Sequence, residues 1–238
     1  MEQIRVKVLF LYNFQMTKQV QQKILKHYNS LQMMGFEYAP ALKTDELNNN
    51  DMSLPNNLID LQALVENCSL CELSKYKTST VFSEGNIHSP IVFVDVMPSI
   101  VQEENNRLLV GKSGELLIKM IENVLNVSYN QFYFANIIKC KTSTKKVPTP
   151  HEINCCKPFL TKQLELISPK LIITLGERTY EYLTNDKRNI EQVRGKITKY
   201  NHIDVLPIYH PSFLLRNPSA KKEAFHDMLK IKSLMESM

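Results

Sequence analysis

Several things are scarce in this chain. Only 6 Gly and 11 Pro stand among its 238 residues, which excludes collagen-like and linker-like composition. Long apolar runs are missing. Stretches such as 171–175 and 205–208 fall far short of the roughly 20 residues that a membrane helix needs. Near the N-terminus, residues 8–12 are apolar but too short for the core of a secretory signal, and no small-residue cleavage pattern follows. A soluble, cytoplasmic protein is therefore expected. Charge of one sign is not in large excess: 29 basic against 24 acidic residues leave +5, which permits an anionic partner without demanding one. No internal repeat is visible. What is present is globular, since 43% hydrophobic and 22% charged residues rule out wholesale disorder.

The first sixty-odd residues differ from the rest. Residues 18–34 carry Val20, Ile24, Tyr28 and Leu31 at helical spacing and stop at Gly35, a C-cap residue type. Residues 40–57 are rich in Asn, Asp and Pro, with Asn48, Asn49, Asn50 and Asp51 in a row, and read as a linker. The expected division is an N-terminal extension over 1–60, helix plus Asn-rich linker, and a domain over 61–238. Asn57 is placed to cap a short helix over 58–66 that runs into Cys68. Beyond it, apolar runs at Ile91–Asp95, 132–138, Leu171–Leu175 and 205–208 alternate with amphipathic segments at 114–127, 151–167, 176–183 and 219–237. That alternation predicts an α/β fold, three layers built around a central, mainly parallel, four-stranded sheet. In such a sheet the ligand crevice lies beyond the carboxyl ends of the strands. The loops to inspect are therefore 96–111, 139–150, the stretch from Gly176 onward, and 209–218.

The 5 cysteines carry more information in their arrangement than in their number. In a chain without an export signal they are not read as a disulfide framework. Cys68 and Cys71 form a C-x2-C pair, which lets two thiolates converge on one metal. Cys140 and Cys156, with Cys155 adjacent, form a second group. Two such contributions make a four-sulfur site for zinc or for an iron–sulfur cluster. Because the second group is not C-x2-C, a zinc ribbon is the poorer match. Buried free cysteines are the plain alternative. A redox C-x-x-C would open a helix after a strand, whereas Cys68 follows a helix.

From Cys68 to the C-terminus the chain resembles the iron–sulfur (family 4) uracil-DNA glycosylases. The segments that carry the resemblance are Cys68-Ser-Leu-Cys71, Phe82-Ser-Glu-Gly-Asn86, Val110-Gly-Lys-Ser-Gly-Glu-Leu-Leu117 and Ala135-Asn-Ile-Ile-Lys-Cys140. They continue with Pro148-Thr-Pro150, Cys156-Lys-Pro-Phe159, Pro169-Lys-Leu-Ile-Ile-Thr-Leu-Gly176 and Tyr209-His-Pro-Ser-Phe-Leu-Leu-Arg-Asn-Pro218. The resemblance implies a uracil-DNA glycosylase-like fold and a [4Fe-4S] cluster on Cys68, Cys71, Cys140 and Cys156. Cys155 then takes a position that is not a ligand. It implies that Asn136 reads the polar edge of an extruded base, and an amide does offer the donor and acceptor that uracil N3–H and O4 require. It implies a catalytic His210, able to stabilise negative charge growing on uracil as the glycosidic bond breaks. DNA contacts are expected from Lys112, Ser113, Ser212 and Arg216. Salt-sensitive phosphate binding is also expected to draw on Lys145, Lys146, Lys221 and Lys222.

The chain departs from the family where the base would sit. In place of Gly-Glu-Ala-Pro-Gly after the first strand it has Asp95-Val96-Met97-Pro98-Ser99. Val96 stands at the carboxylate position. Asp95 lies one residue earlier, and near a strand end a one-residue shift points a side chain to the opposite face. Asp95 is thus a catalytic candidate only if the loop rearranges. Leu109 replaces the aromatic residue expected to stack on the base. No His lies within 96–111, which excludes the covalent-trapping variant. Gly111-Lys-Ser is not a phosphate-binding loop, because Asn106 stands where that motif needs Gly. Glu103 and Glu104 read as charged surface on a solvated loop.

These readings lead to a monomeric DNA-repair protein acting on uracil-containing or single-stranded DNA. It is expected to hydrolyse the N-glycosidic bond of a flipped uracil or related damaged base, slowly or narrowly given the altered motif. The alternatives are a non-catalytic iron–sulfur protein that binds damaged or single-stranded DNA, and a glycosylase with another substrate.

Overall fold

The computed structural model describes residues 54–141 and 147–238. The helix expected at 18–34, the Asn-rich stretch through Asp51, and Lys145 and Lys146 lie outside the described residues. In chain order the elements are α1 (Leu58–Glu66), β1 (Ser83–Gly85), β2 (Ile91–Asp95), α2 (Ile100–Asn105), α3 (Gly111–Met120), β3 (Tyr133–Asn136) and α4 (Pro150–Ile167). There follow β4 (Leu171–Leu175), α5 (Glu177–Thr184), α6 (Ile190–Val193), β5 (Thr198–Tyr200), β6 (Ile203–Ile208), α7 (Pro211–Arg216) and α8 (Lys221–Glu236).

The sheet runs β1-β3-β2-β4-β6-β5. Its central pairs, β3 with β2, β2 with β4 and β4 with β6, are parallel, and the two outer pairs are antiparallel. Where four strands were expected, the sheet has six among the described residues. Both additions are 3-residue edge strands, Ser-Glu-Gly and Thr-Lys-Tyr, with no apolar run to announce them. An edge strand bonds on one side only and tolerates polar, short segments. Pro207 sits in β6 beyond the last residue that β5 pairs, so its missing N–H leaves no gap in that ladder.

Alternation along each strand splits the core into two faces, as a parallel sheet covered on both sides requires. Val92, Val94, Tyr133, Ala135, Ile172 and Val205 face one way, and α1, α4 and α5 cover them with Leu61, Val65, Phe159, Leu160, Leu164, Tyr180 and Leu183. Ile91, Phe93, Phe134, Leu171, Ile173, Leu206 and Ile208 face the other way, against Leu117 of α3 and Met228 and Ile231 of α8. Phe93 and Phe134 stack at 5.2 Å between ring centroids. Helix starts are chemically marked. Asn57 accepts the Asp60 N–H to begin α1, and Thr149 with Glu152 forms a capping box ahead of Pro150 to begin α4.

Candidate active site

The carboxyl ends of the four parallel strands open onto a cleft of about 1150 Å³. Sheet register decides which side chains meet there. Asp95, the last residue of β2, is the ladder partner of Asn136, the last residue of β3. Cross-strand partners share a face, and both residues line the cleft. The expectation that Asp95 points away from the site is therefore corrected. The one-residue shift does turn the side chain, but toward the face on which Asn136 stands.

His210 reaches Asp95 across β4. It follows β6 and caps α7 by accepting the Ser212 N–H on Nδ1 at 3.0 Å. Because Nδ1 accepts, the proton of the neutral ring belongs on Nε2, which donates to Asp95 Oδ2 at 2.9 Å. The crossing is possible because residue 176, between the two strands, is glycine. Its φ is +83°, and a Cβ built there would lie 3.0 Å from His210 Cβ. Asp95 Oδ1 accepts the Val96 N–H at 2.7 Å, with Thr179 Oγ1 at 3.5 Å. Burial disfavours the imidazolium of His210, but the charge and hydrogen bond of Asp95 outweigh it, and the pKa is raised despite opposition from Arg216.

Asn136 is 2% exposed, and its Nδ2 has no hydrogen-bond partner among the described residues. A buried donor left unpaired costs about 1–3 kcal/mol, so an amide held this way beside a cleft is poised for a ligand acceptor. Val96 also lines the cleft. Leu109 does too, packed into the core that holds Phe93 and Phe134. Its backbone N–H and that of Leu108 donate to Glu84 Oε2, at 3.1 and 2.7 Å, which explains the Glu within Phe82-Ser-Glu-Gly-Asn86. Gly114 lets the Leu109 backbone sit on α3, since a Cβ there would fall 2.6 Å from Leu109 C.

Of the expected DNA contacts, exposed Lys112 and half-buried Ser113 lie on the first turn of α3 at the cleft. Ser212 is committed to His210 by its N–H and by Oγ, 2.7 Å from Nδ1. Arg216 is exposed on α7, where its Nε donates to Ser212 O. Lys221 and Lys222 open α8 and are exposed. Arg178, exposed in the first turn of α5 and lining the cleft, was not among the expected residues. Its place just after the end of an apolar strand was the available signal. Glu103 is also corrected. Rather than surface charge it is 2% exposed, ion-paired with Lys141, and accepts the Thr78 N–H. Nothing local marks that burial, because the partners lie far along the chain.

The cysteines gather on the α4 side of the sheet. Cys140 and Cys156 are buried in that core, with Cys68 and Cys71 packed against it. Burial pushes the Cys140 and Cys156 thiols up to about 12, and each is raised further by the other thiols of the set. The Lys139 N–H donates to Cys156 Sγ at 3.3 Å. Cys155 turns elsewhere, with Sγ 3.6 Å from Leu70 O and 3.6 Å from His151 Nε2. Among the described residues, no three His, Cys, Asp or Glu side chains stand ready to hold a single metal ion. Burial also pulls Lys139 down to about 7, opposed by Cys156.

Comparison with known proteins identifies the family. The Uracil DNA glycosylase superfamily matches residues 82–230. The type-4 uracil-DNA glycosylase of Sulfurisphaera tokodaii is 34% identical over 178 residues, covering 71% of this chain and 81% of that protein. That of Saccharolobus solfataricus is 34% identical over 181 residues, covering 73% and 84%. The Thermotoga maritima type-4 enzyme is 33% identical over 181 residues, covering 72% and 91%. By profile and by relatives, this chain belongs to the uracil-DNA glycosylase superfamily.

Proposed function

We propose that the protein is a DNA-repair glycosylase that removes uracil from DNA by hydrolysing its N-glycosidic bond. The observation that carries this reading is the buried, unpartnered amide of Asn136 beside the Asp95–His210 pair. The amide supplies what a uracil edge needs, and extrusion of the base into the cleft costs a few kcal/mol. As the C1′–N1 bond breaks, its electron pair goes to uracil, and His210, once protonated with its Nδ1–H given to Ser212 Oγ in place of the accepted N–H, stabilises that charge. Water adds to C1′. Its proton passes to the Asp95–His210 pair, which gives a proton to the uracil anion before release and so returns to its starting state.

Asp95 replaces the carboxylate missing at Val96 in kind but not in position. Its oxygens are engaged by His210 and by the Val96 N–H, so it acts through the histidine and leaves excision slower than in relatives with the full motif. Lys112, Arg178 and Arg216 are positioned for phosphates. No described helix is long and apolar enough to cross a membrane.

Cys68, Cys71, Cys140 and Cys156 would hold a [4Fe-4S] cluster. The donor set fits: the thiols share one side of the core, with Cys68 and Cys71 packed against buried Cys140 and Cys156, and Cys156 already receives an N–H hydrogen bond of the kind that tunes cluster sulfurs. When bound, the cluster supplies a cross-link between the segment before β1 and α4.

The test is release of free uracil from a labelled oligonucleotide, run beside a gel shift. Free uracil and an intact strand with an abasic site are expected. A gel shift without release would move the assignment to a non-catalytic DNA-binding protein.

A further inference from the structure

Lys139 is fully buried, yet its side chain belongs to no part of the chemistry above. Its Nζ donates to Asn136 O at 2.7 Å, to Phe82 O at 3.2 Å and to Gln163 Oε1. A lysine Nζ carries at most three N–H donors, and here three acceptors surround it. Gln163, also fully buried, spends its own amide on the same set, donating to Tyr133 OH at 2.9 Å and Phe82 O at 3.3 Å. On its backbone side, Lys139 donates to Cys156 Sγ and its carbonyl accepts the Val81 N–H. The turn from Asn136 to Lys139 is otherwise held by Ile137 and Ile138 N–H groups on the Asp95 and Val96 carbonyls.

Any buried lysine needs acceptors, so their presence marks no role; which groups they are does. This one grips the carbonyl of the residue whose amide faces the cleft with nothing to bind. We infer that Lys139 is the positioning residue for base readout: its buried side chain sets the backbone of Asn136 so that the free amide meets the base. Through Cys156 Sγ the same residue ties that setting to the cysteine cluster. The inference rests on the glycosylase reading and extends it to how the reading amide is aimed. Errors of about 1 Å at a site can cost roughly 100-fold, so a strut on the carbonyl has leverage.

The test measures binding of two duplexes that cannot be cleaved. One carries 2′-fluoro-2′-deoxyuridine, which presents the base, and the other a tetrahydrofuran abasic analogue, which does not. The preference for the first over the second isolates base readout from phosphate contacts. Lys139→Met and Gln163→Met are compared with the parent, each alone and combined with Asn136→Ala, with iron content and thermal midpoint recorded.

Positioning predicts that Lys139→Met loses most of the base preference, about tenfold for one misaligned pair of hydrogen bonds, while abasic binding holds. Gln163→Met is predicted to do so in part and carries the test if Lys139→Met does not fold. Neither change is expected to add anything once Asn136 is Ala. Loss of both affinities together, or an unchanged preference in folded Lys139→Met or Gln163→Met, overturns the inference and leaves the glycosylase reading standing. A parent protein with no preference for the base-bearing duplex overturns both.

Discussion

At His210, burial and charge act in opposite directions, and charge prevails. Burial resists the imidazolium, Asp95 favours it more, and the folded pKa lies above the ordinary value. The sign follows from linkage. Protonation of His210 favours the folded state, so its contribution is fully present below the unfolded pKa of about 6.5. It is lost as pH climbs through the higher folded value. Thermal midpoints of the parent and of Asp95→Asn, measured from pH 6 to 9, should therefore converge as pH rises; a constant gap would remove the electrostatic account. Asn136 makes the opposite case for stability. Its Nδ2 is buried without a partner, so Asn136→Ala removes an unmet donor as well as a few contacts. Uracil release is expected to fall at least tenfold while the thermal midpoint stays level or rises, the trade seen when a site residue is kept for function. A fall in both would recast Asn136 as a structural residue.

Elements bring these residues together, and here the limits of reading a sequence are physical. The apolar runs of β2 and β4 were legible to the residue, because a strand buried on both faces shows itself as continuous hydrophobicity. β1 and β5 were not, since edge strands need no such run. The cysteine spacing and Asn136 were visible in motifs. The Asp95–His210 bond was not, because it depends on the register of β2 with β4 and of β4 with β6, and on a glycine two strands away in the sequence. That glycine yields its own prediction. Gly176 has φ +83° and ψ 171°, backbone that side chains adopt at a cost of order 1–3 kcal/mol. Gly176→Ala should destabilise by about that much in chemical denaturation and displace His210, lowering uracil release further than the stability loss explains. Full activity in the folded variant would show that the crossing tolerates a Cβ.

At the scale of the whole molecule, the two faces of the sheet divide the work. One carries the cysteine core against α4, the other the cleft, and the strand ends join them at Asn136 and Lys139. Each of Cys68→Ala, Cys71→Ala, Cys140→Ala and Cys156→Ala is expected to abolish iron binding and lower the thermal midpoint, since metal binding is coupled to folding. Cys155→Ala should keep its iron. Stoichiometric zinc with no iron in the parent would defeat the cluster. Around the cleft, phosphate contacts are expected to make DNA affinity fall steeply with salt, and Arg178→Ala should reduce the log–log slope by about 1. An unchanged slope would return Arg178 to the ordinary surface.

The central claim is that the carboxylate missing at Val96 is replaced by Asp95 acting through His210. It is tested most directly by single-turnover release of uracil from a uracil-containing oligonucleotide by the parent and by Asp95→Asn, with enzyme in excess. Loss of a positioned acid–base group costs roughly 100- to 10,000-fold, and a drop in that range, with DNA binding and fold retained, is the predicted result. A parent that releases uracil while folded Asp95→Asn releases it equally fast would contradict the account.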